Sequence, residues 1–329
     1  MTLEACLPVH LQTPTTTITQ IAAGLSGAGV HRVEAAGGLY VLKIAAQTSV
    51  VLEGAAANAS VDEWRRSLRT LELAAHAGLA PAVIHVDETR RAVVSALVTD
   101  RSFPAFYGDP WSRDAALAQL GTTLRRVHEL PLPRDAPESD PREFLATIWP
   151  RLLTGFAMPS FVRDAVERLL TGAAPPRDRA LVLSHNDVNP SNLIYDGERL
   201  WLVDWETAGP NDPLYDLATA SVFLRMDEQA CQQLLAIHDE RPIAALPTRF
   251  AYCRRLVAVM CGALFLRVAR DSGHAGATGE ESLESTLPLG ELYQRMRSGT
   301  LSPATAEGKW AFGLALVKAS QTGAVTQAT

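Results

Sequence analysis

A short polar stretch in the second half of the chain holds side chains suited to catalysis. Asp187 is followed five residues later by Asn192, and Asp204 ends the apolar run 200–203. Phosphoryl transfer from ATP needs such a set: one carboxylate to orient the acceptor hydroxyl, and an amide and a second carboxylate to hold Mg²⁺ on the phosphates. Asp187 is therefore the predicted catalytic carboxylate, and Asn192 and Asp204 are the predicted Mg²⁺ ligands.

The flanking sequence predicts the elements that position these groups. The apolar run 181–183 is typical of a strand that enters the catalytic loop. Residues 192–195 and 200–203 predict a hairpin around Asp196-Gly197. This hairpin would bring the second Mg²⁺ ligand back beside the first.

A metal-dependent hydrolase is the alternative that the His-x-Asp pattern at His185 leaves open. A hydrolase site would need several histidines that converge with carboxylates. No two of the eight histidines are four residues apart, which favours phosphoryl transfer; they are His10, His31, His76, His85, His128, His185, His238 and His274. We expect His185 to support the loop by hydrogen bonding rather than to act as a base.

Two segments, 185–192 and 203–218, resemble the aminoglycoside phosphotransferase and choline kinase superfamily. The motif Asp-Trp-Glu-x-Ala-Gly-x-Asn-Asp-Pro, which begins at Asp204, is more similar to the bacterial choline kinase branch than to the antibiotic-resistance branch. The superfamily consists of small-molecule kinases. The resemblance implies an α+β, two-lobed, protein-kinase-like fold, with a small antiparallel-sheet N-lobe over 1–98 and a mostly helical C-lobe over 99–329.

The first 95 residues predict a small sheet with one helix, and a glycine-rich turn lies between its first two strands. The predicted strands are 17–22, 30–35, 39–44, 81–86 and 91–98. Backbone N–H groups at Gly24, Ser26 and Gly27 are predicted to approach phosphate oxygens, because glycines remove the Cβ atoms that would block them. Lys43, the one cation in an apolar strand, is the predicted phosphate-binding and catalytic lysine.

The acid that would hold Lys43 is left open by the sequence. In the family this acid is a glutamate on the next helix, and here Ser67 falls at that position. Ser60 and Glu63 form a capping box that predicts the helix start, and Gly78 predicts its end. Glu63 lies one turn before Ser67 on the same side, so it is either the partner of Lys43 or only part of the cap.

Further predictions concern the base of the nucleotide and the helical region. By resemblance, backbone groups of Ala96 and Val98 would hydrogen-bond adenine, and Asp216 would support the loop at His185. The predicted helices after residue 99 are 112–130, 161–170, 215–237, 247–271, 280–297 and 302–318.

The phosphate acceptor is predicted from fewer signals. A choline-like acceptor would need an aromatic box, for which the candidates are Trp149, Trp201, Trp205, Phe250, Tyr252, Phe265 and Trp310. Phe223 stands near the place where the bacterial choline kinase pattern has a glutamate. We expect a hydroxyl on a small, amine-bearing, choline- or ethanolamine-like metabolite. An antibiotic phosphotransferase, a thiamine-kinase-like enzyme and a catalytically decayed nucleotide-binding module remain alternatives.

Composition narrows the class of partners and the compartment. The net charge of −6 and the lack of a Lys/Arg run argue against nucleic acid. Four cysteines without Cys-x-x-Cys spacing indicate reduced thiols. The first 19 residues lack the features of a signal peptide, and the apolar run 256–266 is too short to span a bilayer. We therefore expect a cytoplasmic protein without a membrane partner.

Overall fold

The computed structural model describes residues 2–21, 29–45, 57–133 and 136–321, with 57–61 described by backbone only. Within these ranges the chain forms ten α-helices and nine β-strands in two compact units. The first unit comprises Met1–Ala136 and Pro190–Ala208, and the second comprises Pro137–Asn189 and Gly209–Thr329. The expected lobes, 1–98 and 99–329, remain a prediction, and the two compact units have other boundaries.

An antiparallel sheet of five strands dominates the first unit, in the order β1-β2-β3-β5-β4. Its strands are β1 Thr17–Gln20, β2 Gly29–Ala35, β3 Gly38–Ile44, β4 Val83–Asp87 and β5 Ala92–Ala96. Side chains alternate between the two faces of a strand. Leu42 is accordingly buried in the core with Val33 and Val94, and its neighbour Lys43 lies on the other face. The sheet predicted from the sequence is confirmed.

The first helix of this unit differs from its predicted start. Helix α1 spans Ala57–His76, so Ser60 lies inside it and the predicted capping box does not mark its beginning. Its predicted end is confirmed, because Gly78 adopts a φ of +67° and Leu79 N–H donates to the carbonyl of Ala74 at 2.9 Å. The unit is completed by helices α2 Phe103–Gly108 and α3 Arg113–His128 and by the hairpin of β7 Leu193–Tyr195 and β8 Leu200–Leu202.

The second unit is mostly helical. It contains α4 Pro141–Leu153, α5 Ser160–Thr171, α6 Pro213–Phe223, α7 Glu228–Asp239, α8 Thr248–Asp271, α9 Leu289–Arg297 and α10 Ala306–Gln321, with β6 Val182–Ser184 paired to β9 Gly209–Asn211. Helix α8 packs against α10, α6 and α4. Glycines allow the close approach to α10, since a Cβ added to Gly262 would lie 2.6 Å from a methyl carbon of Val317. Within the described ranges, none of the helices is long and apolar enough to cross a bilayer.

Two helices were predicted too long. The predicted helix 215–237 is interrupted after Phe223, because Arg225 adopts a φ of 55° and Asp227 then caps α7 by accepting from Ala230 N–H at 2.8 Å. The predicted helix 280–297 begins only at Leu289, after Pro288. Helices α2 and α4 and strand β9 were not predicted. The α+β class itself is confirmed.

A buried ion pair ties the loop before β6 to the end of α7. Arg179 donates to both carboxylate oxygens of Asp239 at 2.7 Å, and His238 Nδ1 lies 2.8 Å from the same group. Only 7% of the Asp239 side chain is exposed. Burial raises the pKa of Asp239, but hydrogen bonds from His238 and Arg179 outweigh this effect and hold the pKa well below its ordinary value.

We expect Asp239→Asn to lower the free energy of unfolding by about 2 kcal/mol at pH 7, because Arg179 loses its countercharge. A depressed carboxylate pKa stabilises the fold above the unfolded-state pKa of about 3.9, and this contribution fades at lower pH. Urea unfolding should show the difference from wild type at pH 7 and a smaller one below pH 4. Glu291→Gln, which removes an exposed pair with Arg295, is the control and should change little. An unchanged difference at both pH values would contradict this assignment.

Candidate active site

Lys43 is the centre of the charged group in the first unit. Its Nζ lies 2.6 Å from Asp204 Oδ1 and 2.7 Å from Glu206 Oε1, and 26% of its side chain is exposed. Burial lowers the pKa of Lys43, but the charges of Asp204 and Glu206 and the hydrogen bonds to both acids together raise it by more, so the net shift is upward. The ammonium group therefore stays protonated at neutral pH, as a group that binds phosphate must.

A tight turn after β8 directs both acids toward this lysine. Asp204 adopts a left-handed conformation with a φ of 68°, which aspartate tolerates better than most residues. The 3₁₀ turn Trp205–Thr207 follows, and the buried Trp205 anchors it by donating from Nε1 to the carbonyl of Leu202 at 3.0 Å. Asp204 and Glu206, two residues apart, thereby reach the same ammonium group.

The predicted hairpin is confirmed and places Asn192 beside the strand that leads to Asp204. Leu193 pairs with Leu202, and the carbonyl of Asn192 accepts from Val203 N–H at 3.1 Å. The amide oxygen of Asn192 and the carboxylate of Asp204 are hard oxygen donors of the kind that Mg²⁺ prefers. The donor set on this hairpin fits the predicted metal.

Helix α1 does not supply the acid that Lys43 contacts. Glu63 is exposed, and the ion pairs of Lys43 are with Asp204 and Glu206; a role of Glu63 beside Lys43 stays a prediction. Ser67, at the family's glutamate position, donates from Oγ to the backbone carbonyl of Glu206 at 3.2 Å. Sequence reasoning missed Glu206 as the partner of Lys43, and its only signal was its spacing from Asp204.

Of the other residues predicted to bind the nucleotide, the structure describes Ala96 and Val98 only. Gly24, Ser26 and Gly27 lie outside the described residues. Ala96 N–H donates to the carbonyl of Ala82 at 2.9 Å, so only its own carbonyl could serve adenine. Among the described residues, the backbone of Val98 has no hydrogen-bond partner. Adenine recognition by Ala96 and Val98 stays a prediction.

In the second unit, a buried carboxylate holds the loop that bears Asp187. Asp216 accepts from His185 N–H at 2.7 Å and from Asn186 N–H at 2.8 Å. Asn186 has a φ of 65°, and its side-chain oxygen accepts from Asn211 at 2.7 Å. These bonds fix the backbone immediately before Asp187.

Asp187 itself is partly exposed, and Asn189 Nδ2 donates to its Oδ1 at 2.9 Å. Burial first, and the charge of Asp187 in addition, raise the pKa values of Tyr215 and Cys261. Both groups therefore remain neutral near neutral pH. The carboxylate of Asp187 is thus positioned by the hydrogen bond from Asn189. Its neighbours Tyr215 and Cys261 are neutral and do not compete with it as bases.

Most of the aromatic residues considered for an acceptor box belong to the core. At 5% exposure or less, five of them are buried: Trp149, Trp205, Phe250, Tyr252 and Trp310. Trp201 stacks under Arg199 and donates to Asp196, and Phe265 packs edge-on against Phe312. An acceptor box built from these residues stays a prediction.

Known proteins resemble this chain in sequence and in fold. Protein LicA of Haemophilus influenzae is 39% identical over 59 residues, a match that spans 18% of this chain and only 17% of that relative. A choline/ethanolamine kinase family protein from Mesorhizobium loti aligns over 92% of this chain and 93% of its own, with 20% identity and a TM-score of 0.57. Choline kinase LicA from Streptococcus pneumoniae aligns over 86% and 92%, with 18% identity and a TM-score of 0.57.

At such identities the two structures establish a shared fold, which confirms the predicted protein-kinase-like class. The profile of the phosphotransferase enzyme family matches residues 17–251, which include strand β3 with Lys43, the loop with Asp187 and the hairpin of β7 and β8. Because this match covers most of the sequence, the chain belongs to the phosphotransferase enzyme family.

Proposed function

We propose that this protein is an ATP- and Mg²⁺-dependent kinase that phosphorylates a hydroxyl group of a small, amine-bearing metabolite similar to choline or ethanolamine. One observation carries the proposal: Lys43 Nζ lies 2.6 Å from Asp204 Oδ1. A lysine that binds phosphates and a carboxylate that binds the metal must be neighbours, because both act on the same triphosphate.

Each polar residue then has a chemical role. Lys43 binds the phosphates, and Asn192 and Asp204 hold Mg²⁺, which when bound neutralises charge on the transferred group. Asp187 orients the acceptor hydroxyl and accepts its proton. Asp216 keeps the loop of Asp187 in place through the backbone.

The acceptor class is supported by the relatives. The H. influenzae match is local, and the two proteins that share the fold are a choline/ethanolamine kinase family protein and a choline kinase. The chain also carries a net charge of −6, which suits a cationic substrate.

A metabolite panel tests this proposal directly. Purified protein is given ATP and Mg²⁺ with choline, ethanolamine, thiamine, amino sugars or aminoglycosides, and ADP release is compared with a sample without acceptor. We expect acceptor-dependent ADP release with an amino alcohol, and its loss when EDTA removes Mg²⁺. If only aminoglycosides cause ADP release, the acceptor is not an amino alcohol and that part of the proposal is refuted. If none of the compounds causes ADP release and the protein does not bind nucleotide, the kinase function is refuted.

We expect Asp187→Ala to lower kcat by at least about 100-fold and to leave MgATP affinity within a few-fold, because the residue acts on the acceptor and not on the nucleotide. Steady-state kinetics and nucleotide titration measure the two effects separately. Asp164→Asn removes an exposed acid from α5 of the same unit and should match wild type. Retained turnover in Asp187→Ala would exclude its assigned role.

We expect Asp216→Ala to reduce kcat at least tenfold and to destabilise the protein by about 1–3 kcal/mol, because a buried and a partly buried N–H group lose their acceptor. Asp216→Asn keeps one acceptor oxygen and should be milder in both respects. Kinetics at a temperature well below unfolding, combined with urea titration, separates the effects. A wild-type kcat in Asp216→Ala would show that the loop does not depend on this carboxylate.

A further inference from the structure

Two carboxylates share Lys43, and they are not equivalent. Asp204 belongs to the proposed metal site, so in the proposed reaction its oxygens are required by Mg²⁺. Glu206 Oε1, at 2.7 Å from Lys43 Nζ, is the other acid that contacts the lysine. When Asp204 serves the metal, Glu206 is the contact that remains to hold the lysine in place.

The backbone of Glu206 contacts helix α1, which has Ser67 at the position where the family resemblance places a glutamate. Ser67 Oγ donates to the carbonyl of Glu206 at 3.2 Å and also lies 3.1 Å from the carbonyl of Glu63 in its own helix. The 3₁₀ turn Trp205–Thr207 packs on helix α1. The helix therefore supports the acid through its backbone and does not provide the carboxylate itself.

We propose that Glu206 is the positioning residue for Lys43, and that it replaces the helix glutamate that the family resemblance places at Ser67. This inference rests on the proposed kinase function and assigns a further residue to it. Ser67 Oγ contacts the backbone carbonyl of Glu206, so positions 67 and 206 are neighbours. A glutamate at either position can therefore reach the ammonium group of Lys43.

The first test is Glu206→Gln, which removes the charge and keeps the size and the backbone contact with Ser67. We expect kcat/KM for MgATP to fall about 10- to 100-fold, because a displaced lysine misplaces the phosphates, while the acceptor KM changes little. Asp62→Asn, an exposed acid of α1, is the charge-matched control and should match wild type. Loss of activity in Glu63→Gln but not in Glu206→Gln would overturn the proposal.

The second test moves the acid back to the helix. Ser67→Glu combined with Glu206→Gln should recover much of the activity lost in Glu206→Gln, because the new carboxylate lies beside residue 206. A purely structural role of Glu206 would not be rescued in this way. A double variant no more active than Glu206→Gln, with both proteins folded by thermal unfolding, would overturn the proposal.

The third test does not depend on turnover. The whole sequence contains three lysines, Lys43, Lys309 and Lys318, so acetylation of each can be followed by mass spectrometry. An amine held in two ion pairs reacts slowly, and Glu206→Gln should label Lys43 several-fold faster while the other two keep their rates. Lys309 and Lys318 donate to Ser272 Oγ and to the carbonyl of Thr286 and serve as internal references.

The outcomes separate the two proposals. Unchanged labelling of Lys43, together with a raised Mg²⁺ requirement in Glu206→Gln, would make Glu206 a metal ligand and overturn its positioning role. Faster labelling of Lys43 in Glu206→Gln, in a protein whose wild-type form transfers no phosphate to any acceptor, would retain the contact between Glu206 and Lys43 and refute the kinase function.

Discussion

The first unit depends on one electrostatic constraint: the half-buried ammonium of Lys43 must have countercharges within contact distance. An unpaired charge at such a position would be costly, so the chain has to return two acids to the face of β3 that bears Lys43. The hairpin of β7 and β8, the left-handed Asp204 and the anchored turn Trp205–Thr207 together achieve this. One of the two acids that neutralise Lys43 is Asp204, the predicted metal ligand. The contact between Lys43 and Asp204 therefore serves both the stability of the fold and the proposed chemistry.

In the second unit the buried charged group is a carboxylate, and it too has partners within hydrogen-bonding distance. Asp216 is a buried carboxylate whose oxygens are satisfied by two backbone N–H groups of the loop that precedes Asp187. A left-handed Asn186 lets both N–H groups point to the same acceptor. In each unit, carboxylates satisfy a group that would otherwise lack a partner: the ammonium of Lys43 in the first unit and two backbone N–H groups in the second.

Much of the site could be predicted because its residues are close together in sequence. The spacing of Asp187, Asn192 and Asp204, and the turn at Asp196-Gly197, are local signals that survive without knowledge of the fold. The five-stranded sheet was also predictable from apolar runs separated by turn residues. The contact of Glu206 with Lys43 could not be predicted in this way, because the two residues are far apart in sequence. It also depends on the turn Trp205–Thr207, for which the sequence has no recognisable pattern.

The helices show where local patterns fail. The break at Arg225 has no glycine or proline to mark it, since the left-handed residue there is an arginine held by tertiary context. Helix α4 did carry a signal, because Asp140 and Pro141 have the types favoured at a helix cap and first position, and Asp140 accepts from Arg142 N–H at 2.9 Å. Strand β9 contains Pro210, which argues against a strand when the sequence is considered alone.

The proposed kinase function requires that Lys43 and its two acids form the site of the nucleotide phosphates. Selective ¹⁵N labelling of lysine would give side-chain ammonium signals from only three residues, and the signal lost in Lys43→Arg identifies Lys43. Titration with Mg²⁺ and ADP should shift the Lys43 signal and leave those of Lys309 and Lys318 in place. A Lys43 signal that does not move at saturating nucleotide would contradict a role of Lys43 in phosphate binding.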